Sequence, residues 1–331
     1  MEVQVVKSNL KLSRKLSCIA AVMLMAGVAH AETNWPSKPI KAVIPFGAGS
    51  ATDVVPRLVF DRLAIELGQP IVVENRAGAG GTLGTGVVAK SDPDGYSILG
   101  HSSALTIGPS IFSNLSYDVS KDLSSVLMIG YLPNVMIVPL SRPWKTVQDF
   151  IGDAKKKDAA ISYGSVGVGS AVHISAEKFR LAAGIEAQHV PYRGGSEVIA
   201  DILGGRIDYY FCPLATALPL IRAGQVRALV VSTTKRAAEL PDVPTPAEAG
   251  LKNGDSTNWI GVFMPAKTPR DVVEKLYKSG TKVLNDPAMQ QSLRTLGVEA
   301  TPMTPAVMDA LIKDDLISNA ELVRAAGIKV N

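Results

Sequence analysis

Residues 40–53 read IKAVIPFGAGSATD: a short apolar strand, a loop of glycine, alanine and serine, and the start of a helix. Ile40, Val43 and Ile44 are the β-branched residues that a buried strand favours. Pro45 and the glycines after it end the strand, and Thr52 or Asp53 stands where a helix cap belongs. The device returns at 71–84 (IVVENRAGAGGTLG), 97–104 (SILGHSSA) and 161–173 (ISYGSVGVGSAVH). Such a loop exposes backbone N–H groups at the positive end of a helix dipole, a combination that holds an anion. Strand, small-residue loop and helix in repetition predict an α/β chain with largely parallel sheets and a small anionic ligand.

Working outward, the spacing predicts a helix over 52–67, a strand over 71–74, a helix over 83–90 and a strand over 96–100, with a turn at Asp92-Pro93-Asp94-Gly95. Residues 127–138 (LMIGYLPNVMIV) form a long apolar stretch broken by Pro133, as a strand would be that leaves one sheet and enters another. A second set follows, with helices at 146–157, 171–183, 196–203 and 216–223 and strands at 160–163, 187–190, 207–211 and 227–232. Residues 258–265 read as a further strand, and helices at 269–285, 287–296 and 305–326 each carry Pro at or near the start. The simplest layout is two-lobed with an inserted second domain: domain 1 from 32–134 and 255–331, domain 2 from 135–254. Two crossovers would form a hinge between lobes that close on a ligand.

The N-terminus reads as an export signal, residues 1–31. Lys7, Lys11, Arg14 and Lys15 precede an apolar run from Leu16 to Val28, and Ala29-His30-Ala31 fits an A-x-A cleavage site before Glu32. The formal charge of +4 falls close to neutral without this segment, which removes the compositional case for a nucleic-acid partner. Cys18 lies in the signal, and Lys15-Leu16-Ser17 before it is a poor lipidation motif. Cys212 is then alone, so neither a disulfide nor a zinc site is expected. The mature chain is expected to be an exported monomer without metal or cofactor, and a chain without disulfides suits a bacterial periplasm as well as any compartment.

Several motifs imitate chemistry they cannot perform. Gly78-Ala79-Gly80-Gly81-Thr82-Leu83-Gly84 has the wrong glycine spacing for a dinucleotide loop and no acid ending a second strand. Gly100-His101-Ser102-Ser103-Ala104 lacks the last glycine of a nucleophile elbow. His101, His173 and His189 have no metal-ligand spacing.

The residues themselves nominate Phe46 to Asp53 as one wall of a ligand site, above all Phe46, Ala48, Gly49, Ser50, Thr52 and Asp53. Ser165, Gly167, Gly169 and Ser170 form the second-lobe counterpart, with His173 one turn into the next helix, where a lone His is more often a structural hydrogen-bonder than a ligand contact. Ser102 and Ser103 complete the cleft. In Tyr192-Arg193-Gly194, Arg193 can pair bidentately with a carboxylate while Gly194 serves the backbone. The alternative for both loops is a tight strand–helix turn that needs small residues for its own sake.

The mature chain resembles the tripartite tricarboxylate transporter substrate-binding proteins, the Bug family. Trp35-Pro36-Ser37-Lys38-Pro39-Ile40, Leu67-Gly68-Gln69-Pro70, Glu74-Asn75-Arg76, Gly78-Ala79-Gly80-Gly81 and Asp92-Pro93-Asp94-Gly95-Tyr96 carry the likeness in the first lobe. In the second lobe it rests on His189-Val190-Pro191-Tyr192, Leu203-Gly204-Gly205, Ile221-Arg222-Ala223-Gly224 and Leu240-Pro241-Asp242-Val243-Pro244-Thr245. The resemblance implies a periplasmic protein, not an enzyme, that holds a small organic carboxylate between its lobes and delivers it to membrane permease subunits. It places most ligand contacts in Phe46 to Asp53 and Ser165 to His173. Two positions depart from the family: Ser50 stands in a common Gly pair, where the backbone is expected to need unusual dihedrals, and Cys212 stands where an Asp often meets a ligand amino group. A module presenting its ligand to a sensor kinase shares this chemistry. An exported hydrolase would need Ser102, His101 and Asp53 as its catalytic set.

Overall fold

The computed structural model describes residues 35–328; the expected signal segment lies outside them. In chain order the elements are β1 (Ile40–Ile44), α1 (Ala51–Leu67), β2 (Ile71–Asn75), α2 (Thr82–Ala89), β3 (Ser97–Ser102), α3 (Ala104–Ile111), α4 (Val119–Asp122), β4 (Leu123–Leu132) and β5 (Asn134–Pro139). There follow α5 (Val147–Ala154), β6 (Ser162–Ser165), α6 (Ala171–Ala183), β7 (Gln188–Pro191), α7 (Gly195–Leu203), β8 (Tyr209–Pro213), α8 (Leu214–Arg222) and β9 (Val226–Val231). The chain ends with β10 (Asn258–Pro265), α9 (Arg270–Leu284), α10 (Pro287–Thr295), β11 (Glu299–Ala300) and α11 (Pro305–Ala326).

The strands form two sheets, in the orders β11-β4-β10-β3-β1-β2 and β7-β6-β8-β5-β9. The chain leaves the first sheet at Pro133, between β4 and β5, and returns to it between β9 and β10. The sheets are more mixed than the sequence suggested. β1 pairs in parallel with β2 and β3, and β6 with β7 and β8. β10 is antiparallel to both β3 and β4, and β5 to both β8 and β9. The reason is topological. β10 and β5 arrive from the other sheet rather than over a packed helix, so nothing forces a parallel return.

Each sheet is covered on both faces, and strand alternation assigns the faces. Ile40, Ala42 and Ile44 pack with Val55, Val59, Phe60 and Leu63 of α1, while Val43 points the other way, to Leu99, Trp259, Phe263, Met308 and Ile312. In β8, Tyr209 and Phe211 meet Phe150 and Phe179, and Tyr210 and Cys212 meet Val135, Val198, Ile202 and Leu214. Between the lobes, Ile174 of α6 packs with Ala104 and Ile107 of α3 and with Leu322 and Val323 of α11.

Candidate ligand-binding cleft

The β1–α1 loop is braced from behind by a buried carboxylate. Asp53 is 3% exposed. Its Oδ2 accepts the Gly49 N–H at 2.9 Å, and its Oδ1 accepts Arg57 Nη2 and Asn75 Nδ2, each at 2.8 Å. Asn75 also donates to the Phe46 carbonyl at 3.0 Å. Burial alone would raise the Asp53 carboxyl, but the hydrogen bonds from Asn75, Gly49 and Arg57 outweigh it and hold the group below its ordinary value. Asp53 therefore shapes the loop with both oxygens committed.

Helix α1 is entered through Ser50 rather than Thr52 or Asp53, and no side chain caps it. The expected strain at Ser50 is absent: its backbone is extended, at φ −70° and ψ 158°. Gly49 carries the left-handed conformation instead, at φ +82°. Ser50 Oγ is buried and has no hydrogen-bond partner in the protein. A Cβ on Gly47 or Gly49 would meet no atom within 4 Å, so the loop borders open space. Gly84, inside α2, shows the opposite case: a Cβ there would lie 2.8 Å from the Arg76 carbonyl and from Pro45.

The β6–α6 loop is built on two imidazoles. Ser165 Oγ lies 2.6 Å from His189 Nε2 and accepts the Gly167 N–H at 3.1 Å. Ser170 Oγ donates to the Gly167 carbonyl at 2.7 Å and caps α6 at the His173 N–H. His173 Nδ1 accepts the Gly169 N–H at 3.1 Å. Gly167 (φ +113°) and Gly169 (φ +77°) give the loop its curvature. Burial pushes His173 down to about 3, helped by His189 and Arg180, and burial also lowers His189, so both rings are neutral bases. Beyond His189 stands Tyr163, whose hydroxyl donates to Glu177, itself held by Arg180 at 2.9 Å. His173 is thus an internal brace, and Ser165 and Ser170 spend their hydroxyls within the loop.

The β6–α6 loop faces the first lobe at the β2–α2 loop and α3. A Cβ on Gly80 would lie 3.9 Å from the Val168 carbonyl, and one on Gly169 would lie 3.0 Å from Ile111 and 3.9 Å from Ile107 of α3. Phe46 sits edge-on to His101, ring centroids 5.3 Å apart, and packs against the interlobe cluster that holds Ile107 and Ile174. Ser102 and Ser103 lie at the entry to α3, and Ser103 Oγ donates to Asn258 at 3.2 Å. Tyr192 sits beside the second loop, its N–H on the Ser165 carbonyl at 2.9 Å. Its hydroxyl donates to Asp201 at 2.6 Å, and burial and that bond push the phenol up to about 12. Arg193 is exposed, and Gly194 is an extended N-cap with φ −160°. Ala48 is exposed and Thr52 half-buried.

Cys212 is a correction. It is fully buried in the apolar layer beneath α7 and α8, and burial pushes its thiol well up, so it stands in the core rather than at the ligand. The hydrolase set is not assembled either. Asp53 is tied to its own loop, and His101 Nδ1 lies 2.8 Å from both the N and the O of Ser102's backbone. Burial lowers His101 to about 4.

Sequence reasoning missed Arg57, Asn75 and His189 as parts of the site. Arg57 lies four residues after Asp53 on one helix face, a signal that was readable. Asn75 and His189 come from neighbouring strands and carried no local mark.

A separate cavity of about 770 Å³ opens at the hinge, lined by both crossovers and by Tyr131, Lys178, Ser256, Trp259 and Asp315. Ser103 is the one sequence candidate among its lining residues.

Residues 55–328 match the family model described as the tripartite tricarboxylate transporter family receptor, TctC. A UPF0065 protein from the tcbD-tcbE intergenic region of Pseudomonas sp. (strain P51) is 34% identical, over 91% of this chain and 93% of its own length. Protein BugT of Bordetella pertussis is 32% identical, over 97% of this chain and 100% of its own. Among solved structures, the periplasmic binding protein BugD is 34% identical with a TM-score of 0.79, covering 89% of this chain and 100% of that one. Rpa4515 of R. palustris, solved with adipate, is 30% identical with a TM-score of 0.82 over 89% of this chain and 100% of that one. MatC of Rhodopseudomonas palustris, solved with malate, is 28% identical with a TM-score of 0.77 over 87% of this chain and 100% of that one. The motifs quoted from both lobes, the two sheets joined by two crossovers and these relatives agree: the chain belongs to the tripartite tricarboxylate transporter receptor family and has its two-lobed periplasmic-binding-protein fold.

Proposed function

We propose that this protein is a periplasmic substrate-binding protein. It captures one small organic carboxylate between its lobes and delivers it to the membrane permease subunits of a tripartite tricarboxylate-type transporter. The observation that carries the reading is Ser50: a buried hydroxyl without a protein partner, at the start of a 17-residue helix, in a loop bordering open space. N–H groups at that helix start and the Ser50 hydroxyl suit a carboxylate oxygen. Phe46, Ala48, Gly49, Ser50 and Thr52 contact the acid from the first lobe, and Gly167 and Gly169 from the second. Ser102, Ser103, Tyr192, Arg193 and Gly194 form the rim, while Asp53, Ser165, Ser170 and His173 hold the loops in shape. Residues 32–134 with 255–331, and 135–254, act as the two moving bodies. Adipate and malate in related structures support a dicarboxylate as the first class to try.

The test is a thermal-shift screen of the purified protein against di- and tricarboxylates, aromatic acids, acidic amino acids and uncharged controls. An acid at 100 times its Kd adds about 2.7 kcal/mol of stability, a clear rise in Tm. A rise confined to one class of acid, and lost in Ser50→Ala, is the expected result. No rise with any acid, in protein stripped of co-purified ligand, refutes the reading.

A further inference from the structure

Three consecutive side chains in the first turns of α6 reach three different parts of the molecule. His173 Nδ1 holds the Gly169 N–H of the second ligand loop. Ile174 inserts between α3 and α11 of the other lobe. Ser175 turns to the hinge: its Oγ accepts Asn134 Nδ2 at 3.1 Å, lies 3.1 Å from Ser256 Oγ, and reaches back to the Ala171 carbonyl at 3.1 Å.

Asn134 and Ser256 belong to the two different crossovers. Asn134 is the first residue of β5, directly after Pro133, and Ser256 lies in the segment returning from β9 to β10. Ser232, just past β9, ties them together. Its Oγ accepts the Asn134 N–H at 3.1 Å, its N–H donates to the Asn134 carbonyl at 2.8 Å, and its carbonyl accepts the Ser256 N–H at 2.6 Å. All four residues are buried: Asn134 1%, Ser175 0%, Ser232 0% and Ser256 4% exposed. Hydrogen bonds among desolvated groups are directional, and a partner lost by Asn134, Ser175 or Ser232, which lie behind the hinge cavity rather than on its wall, is costly to replace. The angle between the lobes is set by backbone torsions in these two crossovers, so a side chain bonded to both restrains that angle.

We propose that Ser175 is a positioning residue that fixes the interlobe angle, and that the turn His173-Ile174-Ser175 links the ligand loop to the hinge. The link rests on the reading of the cleft as a hinged carboxylate trap. A ligand bound at Gly167 to Ser170 orders the loop, the loop is bonded to His173, and Ser175, two residues on in the same turn, holds the crossovers. Occupancy of the loop and the angle of the hinge therefore share one rigid helical turn, which is short enough to transmit a shift without intermediates.

The test measures interlobe distances by spin labels at Arg62→Cys and Lys157→Cys, both exposed positions, one in each lobe. It compares the parent with Ser175→Ala, Ser256→Ala and the double variant, first without ligand and then with adipate, malate and citrate in turn. Without ligand, Ser175→Ala is expected to broaden or displace the distance distribution. Ser256→Ala should do the same, and the double variant no more than either single change, because both remove one linkage. With a bound acid, the parent closes to a single short distance. Ser175→Ala still binds, about tenfold more weakly, but keeps a broad distribution. Ligand-free distributions that match the parent in both single variants overturn the proposal, as do effects that simply add. If Ser175→Ala does not fold, Ser256→Ala alone decides. A parent that binds an acid without moving refutes the hinged trap, while the ligand-free comparison still judges Ser175.

Discussion

The imidazoles of His173 and His189 lie stacked, with centroids 4.0 Å apart and planes 22° from parallel. Two neutral rings tolerate that contact, and two imidazolium ions would repel. His173 in its neutral form also lends Nδ1 to the Gly169 N–H, which protonation of that nitrogen would abolish.

Acid should therefore loosen the protein well above the carboxylate range. Burial holds His173 at about 3 and His101 at about 4 when folded, against 6.5 for the free side chain. Below pH 6.5 the unfolded chain takes up protons that the native state refuses. Stability is thus full above that pH and falls as the pH drops from 6.5 toward 4, by on the order of 1 kcal/mol per pH unit for each imidazole. Thermal unfolding between pH 7.5 and 4.5 checks this, and a Tm that stays level from 6.5 to 4.5 contradicts it.

Ser50 and Asp53 should separate binding from stability. Ser50 Oγ has no protein partner, so Ser50→Ala should change stability by less than about 0.5 kcal/mol. It should weaken the carboxylate by about tenfold, ~1.4 kcal/mol. Asp53→Ala leaves the Gly49 N–H without an acceptor and removes one of the two acceptors of Asn75 Nδ2, and should cost about 2 kcal/mol in urea unfolding. Equal stability losses in the two variants would contradict this division.

Gly49→Ala tests the loop conformation. At φ +82° the new Cβ meets open space, so the cost is backbone strain of about 1 kcal/mol rather than a clash. The variant should fold, with lower Tm and weaker ligand binding. Unchanged affinity by calorimetry would show that the loop conformation does not matter to the ligand.

Cys212 should be inert until the protein unfolds. Its thiol is buried, with its ionisation disfavoured by that burial. Thiol reagent should react at a rate set by unfolding, and Cys212→Ser should cost about 2 kcal/mol by placing a hydroxyl in an apolar layer. Rapid labelling of the native protein would contradict the core assignment.

The local parts of this fold were legible in the sequence. Residues 171–183 and 305–326 are helices within the bounds that capping and periodicity indicated. Pro133 does stand between two strands of different sheets. The short elements α4 and β11 were not anticipated, because four and two residues give no periodic signal. The small-residue loops were readable as such, but not which of their side chains face a ligand. Asp53 and His173 have the chemistry of ligand groups and serve as braces, because the tertiary fold brings Asn75 to the one and His189 to the other. Cys212 was misplaced because β8 runs to Pro213, two residues past the expected strand end at 211, which makes Cys212 a buried strand residue rather than the first residue of a loop.

The place of β10 has a consequence for biosynthesis. This strand, residues 258–265, lies between β3 and β4, pairing with both, yet it follows the whole second lobe in the chain. As the polypeptide emerges from its N-terminus, β5 to β9 can complete their sheet while β3 and β4 still wait for the strand that joins them. The lobe begun first is finished last, and most of the chain must be made before its sheet is able to close.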